Sequence, residues 1–180
     1  MKMKHLMLFV AAATMLFAAC SKDEDTTAAA GDNQMIYNGK TYQGETVTGS
    51  IENGNVSLSL QSFAEAFIFE INSNIDNLTS SHTYDLTMAD PNNPLFIHIF
   101  LQSEDLDNEN KIFDFQYQNA PHLWYFLDGD NVSGSSAFTS GTAVATLDGN
   151  NITLTVNGTL VNGKPLSFRI VAPKNNGNLR

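Results

Sequence analysis

Two stretches in the middle of the chain contain the residue types that could contact a ligand. Residues 95–101 and 123–127 are apolar at successive positions and lack the alternation with polar residues found elsewhere. Aromatic rings that combine a flat apolar face with a polar edge can stack on sugars or aromatic ligands. We therefore take these residues as candidate ligand contacts: Trp124, Tyr125, Tyr117, His98 and Phe100.

A strand that is apolar on both faces needs a cover on each side. We expect the short segments around Phe63 and Leu78 to lie over the second face and to bury the candidate rings. The alternative is an open aromatic surface that binds a ligand or a protein partner. The solvent exposure of these rings distinguishes the two interpretations.

The histidines and carboxylates do not predict a metal centre. A zinc site needs three or four convergent ligands, and no two histidines stand at a close pair spacing: His5, His82, His98 and His122. We expect His98 to be a packed, hydrogen-bonded core residue. The acidic run 104–109 departs from a calcium-binding loop, because Asn110 stands where the loop needs glycine and Gln116 where it needs glutamate. We expect no metal and no cofactor.

Catalytic motifs are equally absent from the sequence. It contains no Gly-x-Ser-x-Gly segment and only one cysteine. A carboxylate-dependent hydrolase needs two carboxylates on opposite sides of a cleft, and the sequence does not place any pair there. We expect a protein that is not an enzyme and keep the hydrolase as the least favoured alternative.

The elements that must position the candidate residues are β-strands. Apolar residues alternate with polar ones in three clear segments: Val56, Leu58, Leu60; Ile152, Leu154, Val156; and Leu166, Phe168, Ile170. This period of two is typical of strands with one buried face, and Asn-Gly and Asp-Gly pairs between the segments indicate tight turns. We predict an all-β antiparallel sandwich, with a lipocalin-like up-and-down barrel as the alternative. Residues 141–171 should form a three-strand meander.

Length and charge limit the class of protein. The chain has 180 residues and a formal net charge of -10, which fits one domain that repels phosphate backbones, so we expect no nucleic-acid partner. We assign residues 34–175 to a single antiparallel β domain.

The N-terminus has the layout of an export signal. A basic start, Met1 to His5, precedes an uncharged apolar stretch of about fourteen residues, which at ~1.5 Å per residue is too short to span a bilayer. Ala18 and Ala19 then precede Cys20, the only cysteine. This segment resembles the lipobox of bacterial lipoproteins. The resemblance implies a signal peptide over residues 1–19, cleavage before Cys20 and attachment of fatty acids such as palmitate to that residue.

The residues after Cys20 predict where the domain is displayed. Residues 26–33 are small and polar, as in a flexible linker, and we expect a tether over residues 20–33. The acidic run 21–25 resembles the surface-export signal of lipoproteins in some Gram-negative gut anaerobes. It implies an outer-membrane protein that faces the cell exterior, with the periplasmic face as the alternative. The whole layout resembles small all-β lipoproteins of unknown function.

The functional hypothesis combines the anchor with the aromatic strands. We predict a non-catalytic binding module held to the membrane by its lipid, with a glycan, a peptide or a small apolar molecule as its ligand. A structural or assembly lipoprotein of the envelope that contacts a protein partner is the alternative.

Overall fold

A computed structural model describes residues 28–63, 67–103, 111–119, 123–128, 130–133 and 137–176. The signal peptide and Cys20 lie outside these ranges. The described residues form strands and no helix: β1 Gln34–Tyr37, β2 Lys40–Gln43, β3 Thr46–Glu52, β4 Asn55–Ser62, β5 Phe67–Ile75, β6 Ser81–Asp85, β7 Leu95–Ser103, β8 Lys111–Gln118, β9 Leu123–Asp128, β10 Asp130–Ser133, β11 Phe138–Asp148, β12 Asn151–Leu160, β13 Pro165–Pro173 and β14 Asn175–Asn176.

The strands form two sheets that pack face to face. The six-stranded sheet has the order β2-β1-β13-β12-β11-β6, and the eight-stranded sheet has the order β10-β9-β8-β7-β5-β4-β3-β14. All pairings are antiparallel except that of β14, which runs parallel to β3. The predicted sandwich is confirmed, and the alternative of a closed barrel is wrong, because the two sheets remain separate layers. The predicted meander is confirmed in β11, β12 and β13.

Two of the hairpins turn at the predicted Asn-Gly pairs. Asn38 and Gly39 have φ angles of 48° and 78°, and Asn53 and Gly54 have φ angles of 52° and 84°. A two-residue hairpin of this hand needs positive φ at both central positions, and asparagine and glycine adopt it at the lowest cost. These turns therefore fix how β1 pairs with β2 and how β3 pairs with β4.

The core fills the space between the sheets and is rich in aromatic rings. Phe113, Phe115 and Tyr117 follow one another along the inner face of β8, with successive ring centroids 5.8 and 6.5 Å apart. Phe138 of β11 meets Phe115 and Tyr117 edge-on from the opposite sheet, at 5.7 and 5.4 Å. Edge-to-face pairs of this kind stabilise a core beyond simple burial, so these rings join the two layers.

The sheets come closest near Gly49 of β3. A Cβ atom at Gly49 would lie 2.8 Å from the Cβ of Ala172 in the other sheet. Real side chains avoid contacts this short, so only glycine allows β3 and β13 to approach in this way.

Residues 28–33 lie against the outer face of the six-stranded sheet. The Ser167 hydroxyl donates to the Ala28 carbonyl at 2.7 Å, and the Val171 amide donates to the Asn33 side chain at 2.8 Å. The Arg169 guanidinium donates to the Asp32 carboxylate. The last six residues of the expected tether therefore pack on β13, and they cover part of this sheet face.

Candidate functional site

The outer face of the eight-stranded sheet carries side chains in rows that cross the strands. Cross-strand partners in the ladder share a face, and rows two residues apart are separated by about 6.8 Å. The register aligns these residues in one row, named here the Ser50 row: Ser50, Ser57, Asn74, Phe96 and Gln118. The next row, named the Thr48 row, contains Thr48, Ser59, Asn72, His98 and Gln116.

A depression of about 760 Å³ lies where these two rows cross β3, β4 and β5. We call it the polar groove, and its outward-facing lining residues are Thr48, Ser50, Glu52, Ser57, Ser59, Asn72 and Asn74. Apart from Glu52, these side chains are uncharged hydroxyl or amide groups. Most of the outward-facing groups in the groove thus donate or accept hydrogen bonds without carrying a charge, and Glu52 adds one carboxylate.

Several groups in the polar groove have no partner within the described part of the chain. Among the described residues, the hydroxyls of Thr48, Ser50 and Ser59 make no hydrogen bond to another protein group. The Ser57 hydroxyl donates to the Asn74 side-chain oxygen at 2.7 Å. The groove therefore offers several hydrogen-bonding positions to a molecule that enters it.

An aromatic strip on β7 borders the polar groove. Phe96, His98 and Phe100 alternate with buried core residues, and all three are half-buried. A hydrogen bond of 3.1 Å joins His98 Nε2 to Asp114 Oδ1 on β8. We expected His98 in the core, and that prediction is wrong because its side chain lies on the outer face of the sheet. The predicted hydrogen bond is present.

A carboxylate lies beside the groove in the following row. The Glu70 carboxylate accepts a hydrogen bond from Asn72 at 2.7 Å and another from Gln61 at 3.1 Å. Phe100 lies between Glu70 and Asp114 in the register. Both carboxylates lie on the outer face of the sheet, and the Asp114 side chain is 15% exposed.

The structure separates the five candidate residues. The prediction that Tyr117 contacts a ligand is wrong. Its side chain lies in the core at 1% exposure, and its hydroxyl donates to the Leu86 carbonyl at 3.2 Å. It cannot stack on a ligand at the surface. His98 and Phe100 lie together on the outer face.

The other two candidate residues are on β9. The register places Trp124 opposite Tyr117 and Tyr125 opposite Gln116. Tyr125 thus extends the Thr48 row. The side chains of both residues lie outside the described part of the structure.

The expected cover over the aromatic strands is not provided by Leu78, which packs into the core at 5% exposure. Phe63 is 63% exposed, and residues 64–66 of the same segment lie outside the described ranges. The outward-facing side chains of β7 are half-buried.

A second histidine–carboxylate pair lies at the edge of the six-stranded sheet. His82 Nε2 is 2.9 Å from Asp90 Oδ2, and the Asp90 carboxylate also accepts hydrogen bonds from Asn93 and from the Asn92 amide. Partial burial raises the pKa of Asp90, but these hydrogen bonds outweigh it and hold the pKa below its ordinary value. The described residues contain no cluster of three groups suited to a metal ion.

Sequence reasoning missed the residues of the polar groove. The alternation in β4 correctly identified Ser57 and Ser59 as outward-facing, but only as a solvated face. The signal that could have found the groove is the run of short hydroxyl and amide residues at alternate positions of three successive strands. Phe96 shows the same pattern as His98 and Phe100 and belonged among the candidates.

Comparison with known proteins identified no similar protein. The chain matches no protein-family model, no curated protein and no solved structure. In the part of the chain that the structure describes, no helix is long and apolar enough to cross a membrane.

Proposed function

We propose that this protein is a surface binding module whose ligand is a glycan, held on the outer face of the eight-stranded sheet. The observation that carries the proposal is the polar groove, a depression of about 760 Å³ whose outward-facing side chains are hydroxyl and amide groups and one carboxylate, Glu52. Sugar hydroxyls both donate and accept hydrogen bonds, and serine, threonine and asparagine side chains do the same.

The neighbouring ring supports a glycan over other polar ligands. Phe96 follows Asn74 directly in the Ser50 row and is half-exposed. A sugar ring has polar edges and an apolar face of C–H groups, so it gains from hydrogen bonds in the groove and from contact with a flat ring beside it. His98 occupies the corresponding position in the Thr48 row.

The other two ligand classes fit the groove less well. A small apolar molecule would leave the free hydroxyls of Thr48, Ser50 and Ser59 without partners, which disfavours its binding. An extended peptide gains most of its affinity from main-chain hydrogen bonds at a sheet edge. The polar groove lies on a sheet face and offers side-chain groups instead.

The proposal includes the lipid anchor inferred from the sequence. Acylation at Cys20 would hold the domain on the outer membrane, and the acidic run 21–25 supports display on the exterior. A glycan-binding domain in that position would meet polysaccharides before they enter the cell. A structural lipoprotein of the envelope is the alternative function.

Affinity electrophoresis through gels that contain soluble polysaccharides tests the binding function. We expect at least one polysaccharide to retard the domain, and Phe96→Ala to weaken its affinity about two- to tenfold, because a lost ring contact is worth about 0.5–1.5 kcal/mol and 1.4 kcal/mol is one factor of ten. The matched control is Val144→Ala, which truncates an exposed apolar side chain on the other sheet.

Two results count against the proposal. Retardation that is unchanged in Phe96→Ala and in Ser57→Ala would place binding elsewhere on the molecule. The absence of retardation by any polysaccharide in a broad panel would favour the structural alternative.

A further inference from the structure

We infer that the polar groove selects an uncharged glycan and rejects acidic ones, an inference that rests on the glycan-binding function proposed above. The reason is the arrangement of charge on and around the groove. The strands that build the groove and its aromatic border are β3, β4, β5 and β7, and none of them contains a lysine or an arginine.

The charged side chains on these four strands are carboxylates. Glu52 lines one end of the groove. The Glu70 carboxylate lies 2.7 Å from the side-chain nitrogen of Asn72, which also lines it. Asp114 lies in the same row as Glu70, and its Oδ1 is 3.1 Å from His98 Nε2. A uronic acid or a sulfated sugar in the groove would therefore face carboxylates and would find no lysine or arginine on these strands.

The charge of the whole chain acts in the same direction. The formal net charge is -10, and a field of that sign lowers the local concentration of anionic ligands around the protein. Recognition of carboxylates or sulfates normally uses arginine or lysine, which form charge-assisted hydrogen bonds. The groove uses neutral hydroxyl and amide groups, which match the neutral hydroxyls of a sugar.

The rows also predict the direction of the bound chain. Groups of the same chemistry are aligned across the strands, from β3 through β4 and β5 to the ring of Phe96 on β7. Neighbouring strands are about 4.8 Å apart, so this line is about 14 Å long. A glycan that crosses the strands can place several hydroxyls in the groove and one ring against Phe96.

The experiment compares neutral polysaccharides with their own carboxymethylated derivatives, which keep the backbone and add negative charge. Affinity electrophoresis of the domain gives the dissociation constants of the neutral and the carboxymethylated form. Each is measured at low salt, about 20 mM, and at high salt, about 500 mM. We expect at least one neutral polysaccharide to bind and its carboxymethylated form to bind at least tenfold more weakly at low salt. The difference should narrow at high salt, because salt screens the repulsion.

Two matched variants test which charge is responsible. Glu52→Gln removes a carboxylate from the groove and should reduce the discrimination between the two forms, because the carboxymethylated one binds more tightly when that negative charge is gone. Glu45→Gln removes an exposed carboxylate outside the groove and should leave the discrimination unchanged.

The outcomes separate this inference from the binding function. Equal or tighter binding of a carboxymethylated polysaccharide would overturn the selectivity and leave glycan binding in place. Equal effects of Glu52→Gln and Glu45→Gln would overturn the role of the groove carboxylate. No binding to either form of any polysaccharide would overturn both the function and the inference.

Discussion

Two buried tyrosines should respond in opposite ways to the same substitution. Tyr84 and Tyr117 are 2% and 1% exposed. The Tyr117 hydroxyl donates to the Leu86 carbonyl at 3.2 Å, whereas the Tyr84 hydroxyl has no hydrogen-bond partner among the described residues. Replacement by phenylalanine removes only the hydroxyl in both cases, so the comparison isolates the effect of its partner.

The magnitude follows from the cost of an unpaired buried group. Loss of a buried hydrogen bond lowers the free energy of unfolding by about 1 kcal/mol, and removal of an unpaired polar group raises it by a similar amount. We therefore expect Tyr117→Phe to destabilise the domain by about 1 kcal/mol and Tyr84→Phe to stabilise it by about 1 kcal/mol. At about 2–4 °C per kcal/mol, the melting temperatures of the two variants should differ by about 4–8 °C.

The loss of stability at alkaline pH gives an independent measure of how strongly burial disfavours ionisation of the Tyr84 hydroxyl. Burial, with the nearby carboxylates of Asp90 and Asp76, raises the pKa of Tyr84 from 10 to about 12. A pKa that is higher in the folded state gives stability that is fully present below pH 10 and is lost as the pH rises from 10 to 12. A pKa difference of this size corresponds to about 3 kcal/mol. Tyr84→Phe should remove this part of the alkaline destabilisation.

Urea unfolding followed by circular dichroism at pH 7 and at steps from pH 9 to pH 12 measures both effects. Tyr117→Phe is the matched control, because burial also raises the pKa of Tyr117 but its hydroxyl is paired at neutral pH. The reasoning would be refuted if Tyr84→Phe destabilised the domain at pH 7 as much as Tyr117→Phe does.

Three further substitutions test other parts of the molecule. Asn119→Ala should lower the free energy of unfolding by about 2 kcal/mol in urea titrations, because the buried Asn119 side chain accepts the Leu95 amide hydrogen at 2.7 Å and its loss leaves that amide unpaired; a loss below 0.5 kcal/mol would contradict this pairing. Gly49→Ala should destabilise by about 1–3 kcal/mol in the same titrations, since the added Cβ would meet Ala172 at 2.8 Å, whereas unchanged stability would show that the sheets can separate there. Cys20→Ser should abolish the incorporation of labelled palmitate and move the protein to the soluble fraction, and continued labelling would disprove the lipobox assignment.

The sequence predicted the strands because their signal is local. In β4 the alternation of Val56, Leu58 and Leu60 with serines required only that one face be buried, and the structure buries all three apolar residues. The Asn-Gly turns were predictable for the same reason, since positive φ is a property of the residues in the turn. Neither signal depends on which strands become neighbours.

The sequence was misleading where a strand is apolar on both faces. Residues 95–101 could not show which face of β7 meets the core, so Phe100 and His98 stayed undecided. Tyr117 was a different case: it alternates with Asp114 and Gln116 in step with Phe113 and Phe115. That alternation places it in the core, and its selection as a ligand contact ignored the signal.

The sequence by itself determined which residues of each strand share a face, because successive side chains of a strand point to opposite sides. Only the tertiary structure decided that Thr48, Ser59 and Asn72 form one row. The Asn53-Gly54 turn sets how β3 pairs with β4, but strand alternation specifies neither the β4–β5 register nor the pairing of β5 with β7, which bypasses β6. The polar groove and its aromatic border exist because these pairings align neutral side chains of three strands beside the ring of Phe96.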